Sequence, residues 1–80
     1  MHLEIITPDK TIFTGDVKSV TVPGTNGSFE VLENHAPIIS TLDEGKLRVV
    51  DTHGTEAFIE LAGGVVEVKE NKMIVLAKMA

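Results

Sequence analysis

The first feature of this sequence that could do chemistry is a loop of glycine and polar residues at positions 24–27, which reads Gly-Thr-Asn-Gly. A phosphate-binding loop also needs a Lys-Ser or Lys-Thr pair after its last glycine, and then a helix. Here Ser28, Phe29 and Glu30 follow and begin a predicted strand. We therefore predict a turn that holds no phosphate, because Gly and Asn readily adopt the positive φ angles that turns require.

Histidine chemistry is the second possibility that the residue types raise. His35 stands in the run Asn-His-Ala-Pro, and Ser28 and Ser40 are near it in the sequence, but neither serine lies in a nucleophile motif. A catalytic histidine needs a nucleophile and an orienting acid. His2, His35 and His53 are too scattered for a metal site, and there is no cysteine. The sequence predicts no catalytic, cofactor-binding or metal site, and His35 is interpreted as a loop residue or part of a subunit interface.

A lysine beside a turn suggests a carrier domain as an alternative function. Lys72 follows the last predicted turn, with Asn71 before it and Met73 after it. Biotin-carrier domains are also small, all-β and of similar length, and they present a modified lysine at a hairpin tip between two methionines. The sequence matches only one of those methionines, so a biotinyl- or lipoyl-type carrier modified on Lys72 is the alternative rather than the main hypothesis.

Composition narrows the classes of partner. Twelve acidic residues outnumber seven basic ones, for a net charge of −5, and the basic residues are spread along the chain. Nucleic-acid binding is therefore not expected, because it relies on clustered Lys and Arg. The 80 residues predict one domain, 1–80, and a domain of this size buries only about 60% of its unfolded surface. Without disulfides or a metal, a protein partner is the remaining source of added stability.

The elements that must position these residues are β-strands. Apolar and polar residues alternate in six runs, around positions 2–5, 19–22, 46–49, 56–61, 66–69 and 72–78. Such alternation is typical of strands with one buried face. Turn residues separate the runs at positions 8–10, 15–16, 23–27, 43–45, 51–54, 63–64 and 70–71. The pattern predicts an all-β, two-sheet antiparallel β-sandwich, or flattened barrel, of eight to ten short strands and no helix.

Several runs, in order along the chain, resemble a known family. They are residues 3–8 (Leu-Glu-Ile-Ile-Thr-Pro), 13–17 (Phe-Thr-Gly-Asp-Val), 22–29 (Val-Pro-Gly-Thr-Asn-Gly-Ser-Phe), 34–37 (Asn-His-Ala-Pro), 58–68 (Phe-Ile-Glu-Leu-Ala-Gly-Gly-Val-Val-Glu-Val) and 75–77 (Val-Leu-Ala). Together they resemble the β-sandwich domain of F-type ATP synthase epsilon subunits. Most members continue into a two-helix hairpin, and the resemblance here covers the sandwich without that hairpin, up to Ala80.

The resemblance implies a non-catalytic role in the rotor. In that family the domain belongs to the central stalk and couples the gamma subunit to the c-subunit ring of a proton-translocating enzyme during ATP synthesis. It needs no cofactor, and it lies peripherally, through the complex, at the cytoplasmic face of the bacterial inner membrane. The resemblance also implies two contact surfaces. The expected c-ring side comprises Thr25, Asn26, Gly27, Ser28, Glu33, Asn34 and His35, and the expected gamma side comprises Thr7, Ile38, Ser40 and Leu42.

The missing phosphate-binding motif generates a direct prediction. Calorimetric titration of the 80-residue chain with ATP should give no heat of binding at millimolar ligand, because residues 24–27 lack the lysine that follows a phosphate-binding loop. A saturating one-site curve would contradict the interpretation of this segment as a turn.

Overall fold

The computed structural model describes all 80 residues and contains seven β-strands and no helix. The strands are β1 (His2–Ile6), β2 (Thr11–Val22), β3 (Phe29–Leu32), β4 (Ile38–Leu42), β5 (Gly45–Asp51), β6 (Glu56–Lys69) and β7 (Lys72–Met79). The all-β prediction is confirmed, and the number of strands lies just below the eight to ten expected.

The number is lower because two strands continue through positions that look like turns. β2 has 12 residues and includes Gly15 and Asp16, and β6 has 14 residues and includes Gly63 and Gly64. Each strand shows a register irregularity, after Val17 in β2 and after Leu61 in β6. Such irregularities bend a strand without ending it. Gly63 and Gly64 therefore lie at a bend inside β6, and Gly15 and Asp16 lie within β2, just before its irregularity, so neither pair connects two short strands.

The two bent strands divide the sheet into two layers and close it. Sheet I contains β3, the second half of β2, β5 and the first half of β6. Sheet II contains the first half of β2, then β1, β7, the second half of β6, and β4. The pairing of β1 with β2 completes a ring of strands, which is a flattened barrel. All pairs are antiparallel except β1 with β7, which run parallel.

A single core fills the space between the sheets. The alternating residues that point inward are aliphatic or Met, and 20 of the 80 residues are buried. Because that is a quarter of the chain, most side chains remain on outer faces, edges and turns. The members of the core are Met1, Leu3, Ile5, Val17, Val20, Val22, Val31, Leu42, Leu47, Val49, Leu61, Val66, Val68, Met73, Val75 and Ala77.

The turn between β5 and β6 is fixed by a carboxylate. The side chain of Asp51 accepts hydrogen bonds from the amides of His53, at 2.8 Å, and Thr55, at 3.0 Å. These bonds favour the ionised form, so the hydrogen bonds from Thr55 and then His53 lower the pKa of Asp51. This turn therefore has a local cause in its own sequence and needs no contact from elsewhere in the fold.

The bend in β6 depends on the absence of a side chain at Gly64. Its φ is 154°, and a Cβ atom placed there would lie 2.4 Å from the carbonyl oxygen of Leu76 in β7. Gly63 has nearly the same φ, 157°, but there the nearest atom, the oxygen of Leu42, would be 3.4 Å away. The two glycines therefore share a backbone conformation and differ in the space beside them.

This difference predicts unequal effects of alanine at the two sites. Gly63→Ala should lower the free energy of unfolding by about 1–3 kcal/mol through backbone strain. Gly64→Ala should lower it by about 1–3 kcal/mol more, because β7 must also move away. Urea unfolding of both variants and the wild-type chain measures the difference. Equal losses would mean that the approach of β7 does not require glycine at position 64.

Candidate functional site

The loop between β2 and β3 projects four exposed residues from a fixed base. Residues 25–28 are all exposed, whereas Gly24 is buried and forms a bridge with Leu42. The Thr25 amide donates to the Thr41 carbonyl at 3.1 Å, and the two threonine hydroxyls lie 2.8 Å apart. A Cβ atom at Gly24 would lie 2.7 Å from the oxygen of Gly27 and 2.8 Å from the Phe29 ring. The loop is therefore compact and anchored to β4, and its polar side chains face outward.

The other predicted ring-side residues lie at the opposite end of β3. Glu33 and Asn34 are exposed and His35 is half-buried, directly after β3, while residues 25–28 come directly before it. Four strand residues separate the two groups by about 13 Å. The seven predicted residues thus do not form one cluster. They bracket β3, which pairs only with β2 and has a free edge. We call this continuous segment, residues 25–35, the edge surface.

The predicted gamma-side residues of β4 point toward the core. Register pairs Ile38 with Val68, Ser40 with Val66 and Leu42 with Gly64. Leu42 is only 5% exposed and belongs to the core. Ile38 packs against the same core, and Thr7 lies in the turn after β1, where its hydroxyl accepts from the amide of Lys10. The side chains that β4 presents outward are those of the alternate residues, Ile39 and Thr41.

An apolar stripe crosses the outer face of sheet II. Ile6, Leu76 and Val65 are direct neighbours on β1, β7 and β6, and the neighbouring cross-strand row carries Ile74 and Ile39. Ile39 is 72% exposed and Leu76 is 52% exposed. The second row also carries Glu4 and Glu67, and Glu67 separates Ile74 from Ile39, so the apolar side chains meet within the first row and diagonally between the two rows. We call the five apolar residues the apolar stripe. Sequence analysis missed it, although the alternation within β6 and β7 signals which of their residues share a face.

The remaining end of the same face is charged. Lys72 is the first residue of β7, and its Nζ lies 3.2 Å from Oε1 of Glu4. The residues at the hairpin turn are Glu70 and Asn71, so Lys72 does not occupy the tip where a carrier domain presents its lysine.

No group of three or more His, Cys, Asp or Glu side chains is arranged to hold a metal ion. The chain also has no helix suited to spanning a bilayer.

The fold and these surfaces define a class of protein. A closed sandwich carries an anchored polar edge on one side and an apolar stripe on an outer face, and this combination is typical of a module that binds other proteins. The family described as ATP synthase, Delta/Epsilon chain, beta-sandwich domain matches residues 1–80. The chain belongs to this family, as the sequence predicted, and it is therefore a domain of a non-catalytic ATP synthase subunit.

Curated relatives carry the corresponding name. An ATP synthase epsilon chain of Chlorobaculum tepidum is 43% identical over 76 residues, which cover 95% of this chain and 86% of the relative. One of Campylobacter hominis is 43% identical over 81 residues, which cover all of this chain and 62% of the relative. A third, of Rhodopseudomonas palustris, is 42% identical over 79 residues and is covered to 58%. The chain thus spans most of one relative and about three fifths of the other two.

Solved structures share the fold at low sequence identity. A chain in the cryo-EM structure of the Euglena gracilis mitochondrial ATP synthase has a TM-score of 0.89 and 22% identity, with 94% of this chain and 48% of that chain covered. A chain in the central stalk and c-ring of the Tetrahymena thermophila mitochondrial ATP synthase has a TM-score of 0.81 and 16% identity, with 96% and 62% covered. At these identities the likeness establishes the β-sandwich fold.

Proposed function

We propose that this chain couples the gamma subunit to the c-subunit ring in the rotor of a proton-translocating F-type ATP synthase. The observation that carries the proposal is the family match over residues 1–80, joined to a fold that offers two distinct exposed surfaces. The chain acts peripherally, at the cytoplasmic face of the bacterial inner membrane, and holds its partners in register without a chemical step. The central-stalk and c-ring description of one structural neighbour supports this assignment.

The c ring is the proposed partner of the edge surface. The exposed side chains of Thr25, Asn26 and Ser28 are polar, and those of the turn residues Glu33 and Asn34 are charged or polar, which suits contact with polar loops. The bridge from Gly24 to Leu42 limits the movement of residues 25–28. A contact that is already ordered loses less conformational entropy on binding than a flexible one. In the proposed arrangement both ends of β3 face the ring, with the free edge of the strand between them.

The gamma subunit is the proposed partner of the apolar stripe. The core of a stable interface is more apolar than the remaining surface, and the stripe supplies exposed or half-buried aliphatic side chains on four adjacent strands. A typical interface buries about 800 Å² per partner, roughly a sixth of the 4741 Å² that the free chain exposes. One such interface on the stripe leaves the edge surface free for the ring, and its formation also stabilises a small domain.

A carboxylate introduced into the stripe tests the gamma contact. Leu76→Glu should weaken binding to the gamma subunit about 30-fold or more, since an unpaired charge buried in an interface costs about 2–5 kcal/mol. The matched control is Phe58→Glu, which makes the same change at a side chain 58% exposed on sheet I. Calorimetry with purified gamma subunit measures both. Normal binding by Leu76→Glu together with lost binding by Phe58→Glu would place gamma on the other sheet.

Bulky side chains in the β2–β3 loop test the ring contact. The double variant Asn26→Trp, Ser28→Trp should reduce ATP-driven proton pumping by a reconstituted, epsilon-depleted enzyme while ATP hydrolysis continues, because the loop can no longer approach the ring closely. Thr52→Trp, in the exposed β5–β6 turn, is the control and should restore pumping. Full pumping with the double variant would remove this loop from the ring contact.

A further inference from the structure

Three segments that are far apart in the sequence meet at one end of the sandwich. They are the start of β1, the turn after β3 and the hairpin turn between β6 and β7. The amide of Asn34 donates to Oδ1 of Asn71 at 2.9 Å, and Nδ2 of Asn71 lies 3.4 Å from Oε2 of Glu33. The N-terminal ammonium of Met1 pairs with the other oxygen of the Glu33 carboxylate. One side chain, that of Asn71, thus contacts two consecutive residues of the β3–β4 turn.

The backbone of both turns is compatible with this contact. Asn34, Glu70 and Asn71 have φ values of 58°, 53° and 59°, in the left-handed region. A two-residue hairpin turn of this type requires positive φ at both central positions, and Asn and Gly meet the requirement most easily. The amide of His2 donates to the carbonyl of Asn71 at 3.1 Å, which anchors the hairpin to β1. Glycine at position 71 would therefore satisfy the turn, whereas the link to residues 33 and 34 needs the asparagine side chain.

The β3–β4 turn has few other attachments. β3 is four residues long and pairs on one side only. Within the turn, the His35 amide donates to the Leu32 carbonyl at 3.2 Å, and Nδ1 of His35 lies 2.7 Å from the carbonyl oxygen of its neighbour Ala36. Both bonds are local, so they shape the turn without fixing its place relative to sheet II. The contacts of residues 33 and 34 with Asn71 and Met1 supply that placement.

We propose that Asn71 is a positioning residue that holds the β3–β4 turn, and with it one end of the edge surface, in the geometry that meets the c ring. The inference rests on the proposed ring contact of that surface. Asn71 itself lies on the neighbouring hairpin and acts by accepting from the backbone of Asn34 and donating to Glu33. The far end of the edge surface is held separately, by the bridge from Gly24 to Leu42.

Three variants separate the side chain from the turn conformation. Asn71→Gly keeps the left-handed backbone and removes both hydrogen bonds. Asn71→Asp keeps an oxygen acceptor for the Asn34 amide. Glu70→Gly is the matched control, at an adjacent left-handed residue whose side chain makes no hydrogen bond or ion pair. In the 80-residue chain, amide exchange at Asn34 should accelerate about two- to tenfold in Asn71→Gly, since a lost hydrogen bond contributes about 0.5–1.5 kcal/mol. Glu70→Gly should leave Asn34 protected, and Asn71→Asp should keep only part of that protection, because its second oxygen lies beside Oε2 of Glu33 and the two carboxylates repel.

Reconstituted enzyme provides the functional measurement. Asn71→Gly should lower ATP-driven proton pumping relative to ATP hydrolysis while its affinity for the gamma subunit stays normal. A general loss of stability would lower both, so the two readings distinguish positioning from misfolding. Unchanged exchange at Asn34 in Asn71→Gly would overturn the inference. Faster exchange with full pumping would instead remove the β3–β4 turn from the ring contact and leave the hold of Asn71 on that turn supported.

Discussion

The structure depends on two strands, β2 and β6, that each belong to both sheets. Every buried backbone amide and carbonyl needs a hydrogen-bond partner, so a strand that passes from one layer to the other must exchange neighbours without a gap. β6 pairs with β5 before its bend and with β7 and β4 after it. At that bend Gly64 lets the backbone of β7 come close. The ring of strands can therefore close around a core only one or two side chains thick.

Closure determines where function can be located. Because the interior is filled by aliphatic side chains, partners must bind to outer faces, free edges and turns. The same constraint fixes which side chains those surfaces present. Leu42 is required in the core, so β4 must direct Ile39 and Thr41 outward, and the register with β6 places Ile39 beside Glu67 and Thr41 beside Val65. The apolar stripe is thus a by-product of core packing as much as a separate feature of the sequence.

Much of the fold could be predicted because its signals are local. Alternation in β1, β5 and β7 identifies their buried faces, and the turn at Asp51 is specified by hydrogen bonds within five residues. The continuation of β6 through Gly63 and Gly64 was not predictable, since two glycines suggest a turn unless the strands on either side are known. The family of the chain was also predictable, because its runs keep their order over the whole length.

The site was less predictable for two physical reasons. Ile38 and Ile39 are both apolar, so the sequence of β4 does not reveal which one faces the core, and contact of Ile38, Ser40 and Leu42 with the gamma subunit stays a prediction. The seven ring-side residues are close in sequence, but a strand as short as β3 is long enough to separate them into two groups, one at each of its ends. The link between Asn71 and Glu33 spans 38 positions, and only the folded chain brings the two residues together.

The parallel pairing of β1 with β7 has a mechanical consequence. Because these neighbouring strands run in the same direction, the start of β1 and the end of β7 lie at opposite ends of a molecule whose longest dimension is 27 Å. A force that pulls on these two points loads the hydrogen bonds between β1 and β7 in shear, so that the bonds share the load and must break together. An antiparallel pair pulled from adjacent ends would instead unzip one bond at a time. The domain is therefore built to resist extension along this axis better than its small core would suggest.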